Sequence, residues 1–168
     1  MSSQDHGAPP EIVAFLETVP LFQMVEFSAF PEQRLTLEDW WSGQEEMLSA
    51  DPESTRLRAL TDLPTGEILV IDLDHGEEGF PLSIAEAGLP EEAQALDLTL
   101  SAYLDLAAEL SSLEQQMHDG RYPFDAIMAA FERRNLREND YWSESLAYLQ
   151  ESREETEERM RHIRGDHA

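Results

Sequence analysis

The chain has 168 residues and no cysteine, and its 36 acidic residues against 11 basic ones, all arginine, give a formal net charge of −25. The missing cysteines exclude disulfides, thiolate metal sites and thiol nucleophiles together, and the length suits one domain that buries roughly two thirds of its unfolded surface. No stretch approaches the roughly 18 apolar residues of a membrane span, and residues 1–10 have neither the basic start nor the apolar core of a signal peptide, so a cytoplasmic location is expected.

Residues 1–10 are polar, end in Pro9-Pro10 and read as a disordered lead-in. Ile12, Phe15, Leu16 and Val19 then fall at helical spacing and predict one short amphipathic helix, with Pro10 before its first turn and Pro20 ending it. Residues 21–27, rich in Phe, Val and Met, alternate well enough for a candidate strand. Thr36-Leu-Glu-Asp39 has the form of a capping box, with Asp39 reaching back, and opens a helix to about Leu48. Trp40 and Trp41 sit about 100° apart on such a helix, so at most one is central to the core. The other is then a boundary residue or a partner contact.

Arg56-Leu-Arg-Ala-Leu60 alternates charge with apolar side chains and predicts a half-exposed strand. The clearest β-structure follows: Gly66-Glu-Ile-Leu-Val-Ile-Asp72-Leu73 is apolar and β-branched apart from Glu67 and Asp72, and is expected to be a buried strand. The polar residues 74–79 make a turn, and the apolar run from Phe80 returns antiparallel, giving a hairpin with an acidic tip. Two or three further strands accompany it. After a Gly-Leu-Pro-Glu-Glu turn, with Asp97 or Thr99 as cap, Leu100, Tyr103, Leu104, Ala107, Leu110, Leu113 and Met117 predict the best helix of the chain, closed at His118-Asp-Gly120. Phe124, Ile127, Met128 and Phe131 mark another helix, and a last one starts near Asn139 or Asp140. Its Glu155/Arg159 and Glu157/Arg161 spacings suit an exposed helix, and Trp142, Leu149, Thr156 and Ile163 form one sparse heptad row. The expected fold is α+β: a mixed or antiparallel sheet packed by helices, with a core over residues 11–119 and a C-terminal helical extension over 120–168.

Function is carried by charge. Residues 1–120 hold 25 Asp and Glu against Arg34, Arg56 and Arg58, a net of −22, whereas residues 121–168 hold 11 acids and eight arginines, a net of −3. Such a surface repels nucleic acid and anionic membrane and attracts basic proteins; general enrichment in acid for solubility, or for a salty cytoplasm, explains the composition equally well. Asp72, Asp74, His75, Glu77 and Glu78 carry donors for a divalent ion, but their spacing disagrees with the twelve-residue calcium loop, so a solvated tip and no metal is expected. No carboxylate pair, Ser-His-Asp set or glycine-rich phosphate loop can be assembled, which points away from an enzyme and implies no cofactor. Gly66 and Asp72 are read as structural, Gly66 through a positive φ and Asp72 through hydrogen bonds to turn amides.

At Leu63-Pro-Thr-Gly66-Glu-Ile-Leu-Val-Ile-Asp72-Leu73 the sequence resembles the SMI1/KNR4 (SUKH) superfamily, in which an apolar strand runs from a glycine to an aspartate. The order of elements is similar too, with Leu100-Ser-Ala-Tyr103-Leu104 in the place of the family's core-closing helix, and the resemblance covers residues 11–115. It implies an α+β sandwich and, for bacterial members, a role as an immunity protein neutralising a toxin domain such as a nuclease or deaminase. The resulting expectation is a non-enzymatic binding protein, monomeric or weakly dimeric, that engages a basic toxin or nuclease domain through Asp74, Glu77, Glu78 and one of Trp40 or Trp41. The alternatives are an acidic DNA mimic and a scaffolding protein acting through its C-terminal helices.

Overall fold

A computed structural model describes residues 8–22, 27, 29–117 and 123–165. The chain forms helix α1 (Pro10–Thr18), the paired short helices α2 (Leu37–Ser42) and α3 (Gln44–Leu48), strands β1 (Leu57–Asp62), β2 (Glu67–Asp72), β3 (Pro81–Glu86) and β4 (Gln94–Thr99), and helices α4 (Leu100–Gln115), α5 (Phe124–Arg133) and α6 (Asp140–Gly165). The sheet is an antiparallel meander in the order β1-β2-β3-β4, so the fold is α+β.

Local chemistry accounts for the boundaries. Pro10 is the first residue of α1 rather than a residue ahead of it, where its missing N–H costs nothing. Thr36 caps α2 by accepting from the Asp39 N–H at 3.0 Å, so the threonine half of the expected capping box forms. The single helix expected up to Leu48 is divided at Gly43, whose carbonyl still accepts from Met47 N–H at 3.0 Å. Thr99 caps α4 by accepting from Ala102 N–H at 3.2 Å. Residues 23–26 of the candidate strand and the terminator at 118–120 lie outside the described residues, as do residues 1–7 of the lead-in, while Leu21, Phe22 and Phe27 are not in a strand.

The two faces of the sheet differ in what covers them. Leu60, Leu69, Ile71, Leu82, Ile84, Leu96 and Leu98 face the main core, which α1, α4, α5 and the first half of α6 complete with Phe15, Tyr103, Leu110, Phe131, Trp142 and Leu149. The C-terminal helices therefore pack into the same core as the sheet. The opposite face carries Ala59, Ile68, Val70 and Ala85 beneath Leu48 of α3, with Met47, Ala50, Leu57 and Ala93 partly buried around them. The connection after β3 is tied to α3 at Gly88, whose N–H donates to Met47 O at 2.8 Å. Gly88 has φ +88°, and a Cβ there would stand 2.9 Å from Ser49 Oγ, so glycine is required on both counts.

Each edge strand is closed by a tryptophan and an amide side chain from a helix. At β1, Gln44 Oε1 accepts from Ala59 N–H at 3.0 Å while Gln44 Nε2 and Trp40 Nε1 both donate to Ala59 O at 2.8 Å. At β4, Asn139 Nδ2 donates to Ala95 O at 2.9 Å and Trp142 Nε1 to Leu96 O at 2.8 Å. Asn139 is also the cap of α6, its Oδ1 accepting from Tyr141 N–H at 2.9 Å and Trp142 N–H at 3.0 Å. The Ala59 N–H and the Ala59, Ala95 and Leu96 carbonyls, which could otherwise pair with a further strand, are thus satisfied.

Candidate functional site

The acidic turn grows out of the end of β2. Asp72 Oδ1 accepts from Asp74 N–H at 2.8 Å and starts a 3-10 segment, Leu73–Glu78, that replaces the simple hairpin turn. Gly79 ends it at φ +83°, and buried Phe80 seats the turn on the core through its ring beneath Gly76. Leu73 N–H donates to Arg56 O at 2.9 Å, fastening the turn to the chain entering β1.

Asp74, Glu77 and Glu78 are all exposed, but two of them have partners. Arg56 Nε donates to Asp74 Oδ1 at 2.9 Å, and His75 Nδ1 is hydrogen-bonded to the Glu78 carboxylate, with His75 Nε2 3.8 Å from Asp72 Oδ2. The hydrogen bond and charge of Glu78, followed by the charges of Asp72 and Asp74, raise the His75 pKa above its ordinary value. The turn therefore pairs Asp74 with the Arg56 guanidinium and Glu78 with the His75 ring, and Arg56 makes it less negative than its own sequence.

The two tryptophans separate. Trp40 is 1 % exposed and spends its indole N–H on Ala59 O, so it is a core residue and cannot be a partner contact in this conformation. Trp41 is half-buried, its ring 6.0 Å from that of Trp40, with the Arg58 guanidinium 5.8 Å above it. Partial burial, then the neighbouring Arg56, hold Arg58 below the usual arginine range. Arg56 thus meets the acidic turn at Asp74, while Arg58, two residues on, lies over Trp41 and donates to Thr55 O and Leu57 O.

Gly66 adopts φ +89° in the β1–β2 turn, with no atom within 4 Å of where a Cβ would stand. Sequence reasoning starts the last helix near Asn139 or Asp140 but missed the bond of Asn139 to β4, the role of Gln44, and a groove of about 280 Å³ between the acidic turn and the Pro90–Glu92 turn, floored by Leu57, Val70, Pro81 and Ala93. The bonds of Gln44 and Asn139 to the strand edges carry no signal in the chain, since an amide looks the same buried or exposed. The groove combines residues from four segments.

Among the described residues no group of His, Cys, Asp and Glu is arranged to hold a metal ion, and no helix is long and apolar enough to cross a membrane. These features define an α+β protein whose four-stranded meander is helix-packed on one face and presents a fastened acidic turn beside a partly covered second face. Comparison with family models, curated proteins and solved structures finds no match to this chain.

Proposed function

We propose that this chain is a non-enzymatic binding protein of the cytoplasm that neutralises a basic toxin or nuclease domain, in keeping with the SMI1/KNR4-like strand from Gly66 to Asp72. The observation that carries this reading is the rigid presentation of Asp74, Glu77 and Glu78 at the exposed end of a core hairpin, within a segment of net −22. Acidic side chains held on a fixed scaffold steer a cationic partner and compete with phosphate for its cleft. Capture of interactors from lysate at low and high salt tests it: a salt-sensitive basic protein is expected, and a set of interactors indifferent to salt counts against it. An immunity protein blocks one nuclease, whereas a DNA mimic inhibits several unrelated ones.

A scaffolding role through α6 is favoured by one further observation. The buried row Trp142, Leu146 and Leu149 continues at alternating spacings of four and three through Arg153, Thr156, Met160 and Ile163, of which Met160 and Ile163 are about half exposed. Light scattering on the full chain and on one ended after Glu155 tests this: a dimer lost on shortening supports the helix as the contact, and two monomers exclude it. Ending the chain at Glu138 instead would remove Trp142 from the core.

A further inference from the structure

The second face of the sheet is incompletely roofed. Leu48, with Met47 and Ala50 beside it, covers one end of this face, and the other end, between Leu57, Val70, Pro81, Pro90 and Ala93, is left as the groove of about 280 Å³. A space of this size holds one or two side chains of a larger partner.

Three facts narrow the occupant. Six of the nine lining residues are apolar, so the floor accepts aliphatic groups. The wall on the side of the acidic turn is Asp72 with His75. Asp72 Oδ1 is engaged by Asp74 N–H, whereas Oδ2 has His75 Nε2 only at 3.8 Å and can accept a stronger donor. Third, Gln44 and Trp40 already satisfy the outward peptide groups of β1 at Ala59, so the partner is not recruited there by adding a strand.

We propose that this groove receives a short basic and apolar segment of a partner protein, an arginine or lysine head meeting Asp72 Oδ2 while aliphatic groups lie across Leu57, Val70 and Pro81. Long cationic side chains bury their stems on apolar surface and keep their heads among acceptors, which is the arrangement the floor and wall provide. The inference rests on the partner being basic and adds where and how it is held. The incoming cation competes with His75 for Asp72 and Glu78, with Asp74 and its partner Arg56 the other charged groups facing that histidine.

The test uses the full chain, uniformly labelled with nitrogen-15, and three end-capped hexapeptides: alternating arginine and leucine, hexa-arginine, and alternating glutamate and leucine. The arginine-leucine peptide is expected to shift the amides of Val70, Asp72, Ser83 and Ala93 and to bind at least tenfold more tightly than either control. Ala93→Trp, which fills the groove without touching the acidic turn, is expected to weaken that peptide tenfold or more; Ser83→Trp serves if the first variant does not fold. Equal binding of hexa-arginine and the arginine-leucine peptide, or unchanged binding by the folded filled variant, overturns the groove while leaving an acidic binding surface standing. If both variants unfold, the shift map of the parent decides, and shifts scattered over acidic residues away from the groove overturn it. Absence of binding by both basic peptides overturns the groove and counts against the basic-partner reading, which lysate capture by the parent chain then tests separately.

Discussion

Gln44 pairs with Ala59 as a neighbouring strand would, one amide side chain both accepting from the Ala59 N–H at 3.0 Å and donating to its carbonyl at 2.8 Å. Gln44 is fully buried, and its Nε2 makes a second bond to Trp40 O at 2.9 Å, so the whole amide is satisfied. The side chain ends the sheet at β1 and at the same time fixes α3 over the second face.

Gln44→Ala is therefore expected to cost about 2–3 kcal/mol, because the Ala59 N–H and part of the acceptor capacity of its carbonyl stay buried without water. Urea unfolding followed by tryptophan fluorescence measures it. Trp40 reports on the same spot, and the freed edge is expected to make the variant more prone to aggregate. A loss below about 0.5 kcal/mol would show that the edge does not depend on this amide.

Asn139 has the corresponding role at β4 and also caps α6. Asn139→Ala is expected to cost about 2–3 kcal/mol through the lost cap and the orphaned strand carbonyl. Asn139→Asp keeps the cap but sets a second carboxylate against Asp97, whose Oδ2 lies 2.8 Å from Asn139 Nδ2. Repulsion raises the pKa of that new pair above its unfolded value, so the deficit relative to the parent is present at neutral pH and shrinks as pH falls towards about 4. Unfolding curves of parent and variant at pH 7 and pH 4.5 check the sign; a deficit that grows on acidification contradicts it.

At Gly66 the cost of a side chain is one of backbone alone, since φ is +89° and the surrounding space is open. Gly66→Val is expected to destabilise on the order of 1–3 kcal/mol and Gly66→Asn distinctly less, because Asn tolerates the left-handed region. Asp72→Ala removes the acceptor for Asp74 N–H and is expected to cost about 0.5–1.5 kcal/mol. Changing Asp74, Glu77 and Glu78 together to Ser should leave the melting temperature nearly unaltered, since their ion pairs are exposed, yet weaken capture of a basic partner. Thermal melts and a salt-controlled binding assay separate the two effects.

His75 supplies a pH signature. Its pKa is raised chiefly by Glu78, so its contribution to stability is full below the unfolded value of about 6.5 and fades as pH rises through the folded value. A titration of the imidazole carbon-bound protons by NMR is expected to give a midpoint above that of a free histidine, and Glu78→Gln to bring it down. An unchanged midpoint in the variant would mean that the His75–Glu78 contact does not persist in solution.

The amino-acid sequence by itself determined the elements whose apolar period is strong. Ile12 to Val19, Ile68 to Ile71 and Leu100 to Leu110 fold as their spacing demands, because burial of one face or of a whole strand dominates local preference. The positive φ at Gly66 and the Asp72 acceptor could be anticipated for the same reason: both follow from a turn and a strand end adjoining in the chain. What only the tertiary structure decided are relationships between distant segments. Trp40 and Trp41 are indistinguishable neighbours until β1 offers one of them the Ala59 carbonyl, and the short alternating stretch Gln94 to Thr99, with Asp97 at φ +57°, joins the sheet only through its pairing with β3. Arg56 tempers the acidic turn only once the chain has folded back to set it against Asp74. The groove lies beyond the cover that Met47, Leu48 and Ala50 give the second face, among residues that only the fold brings together.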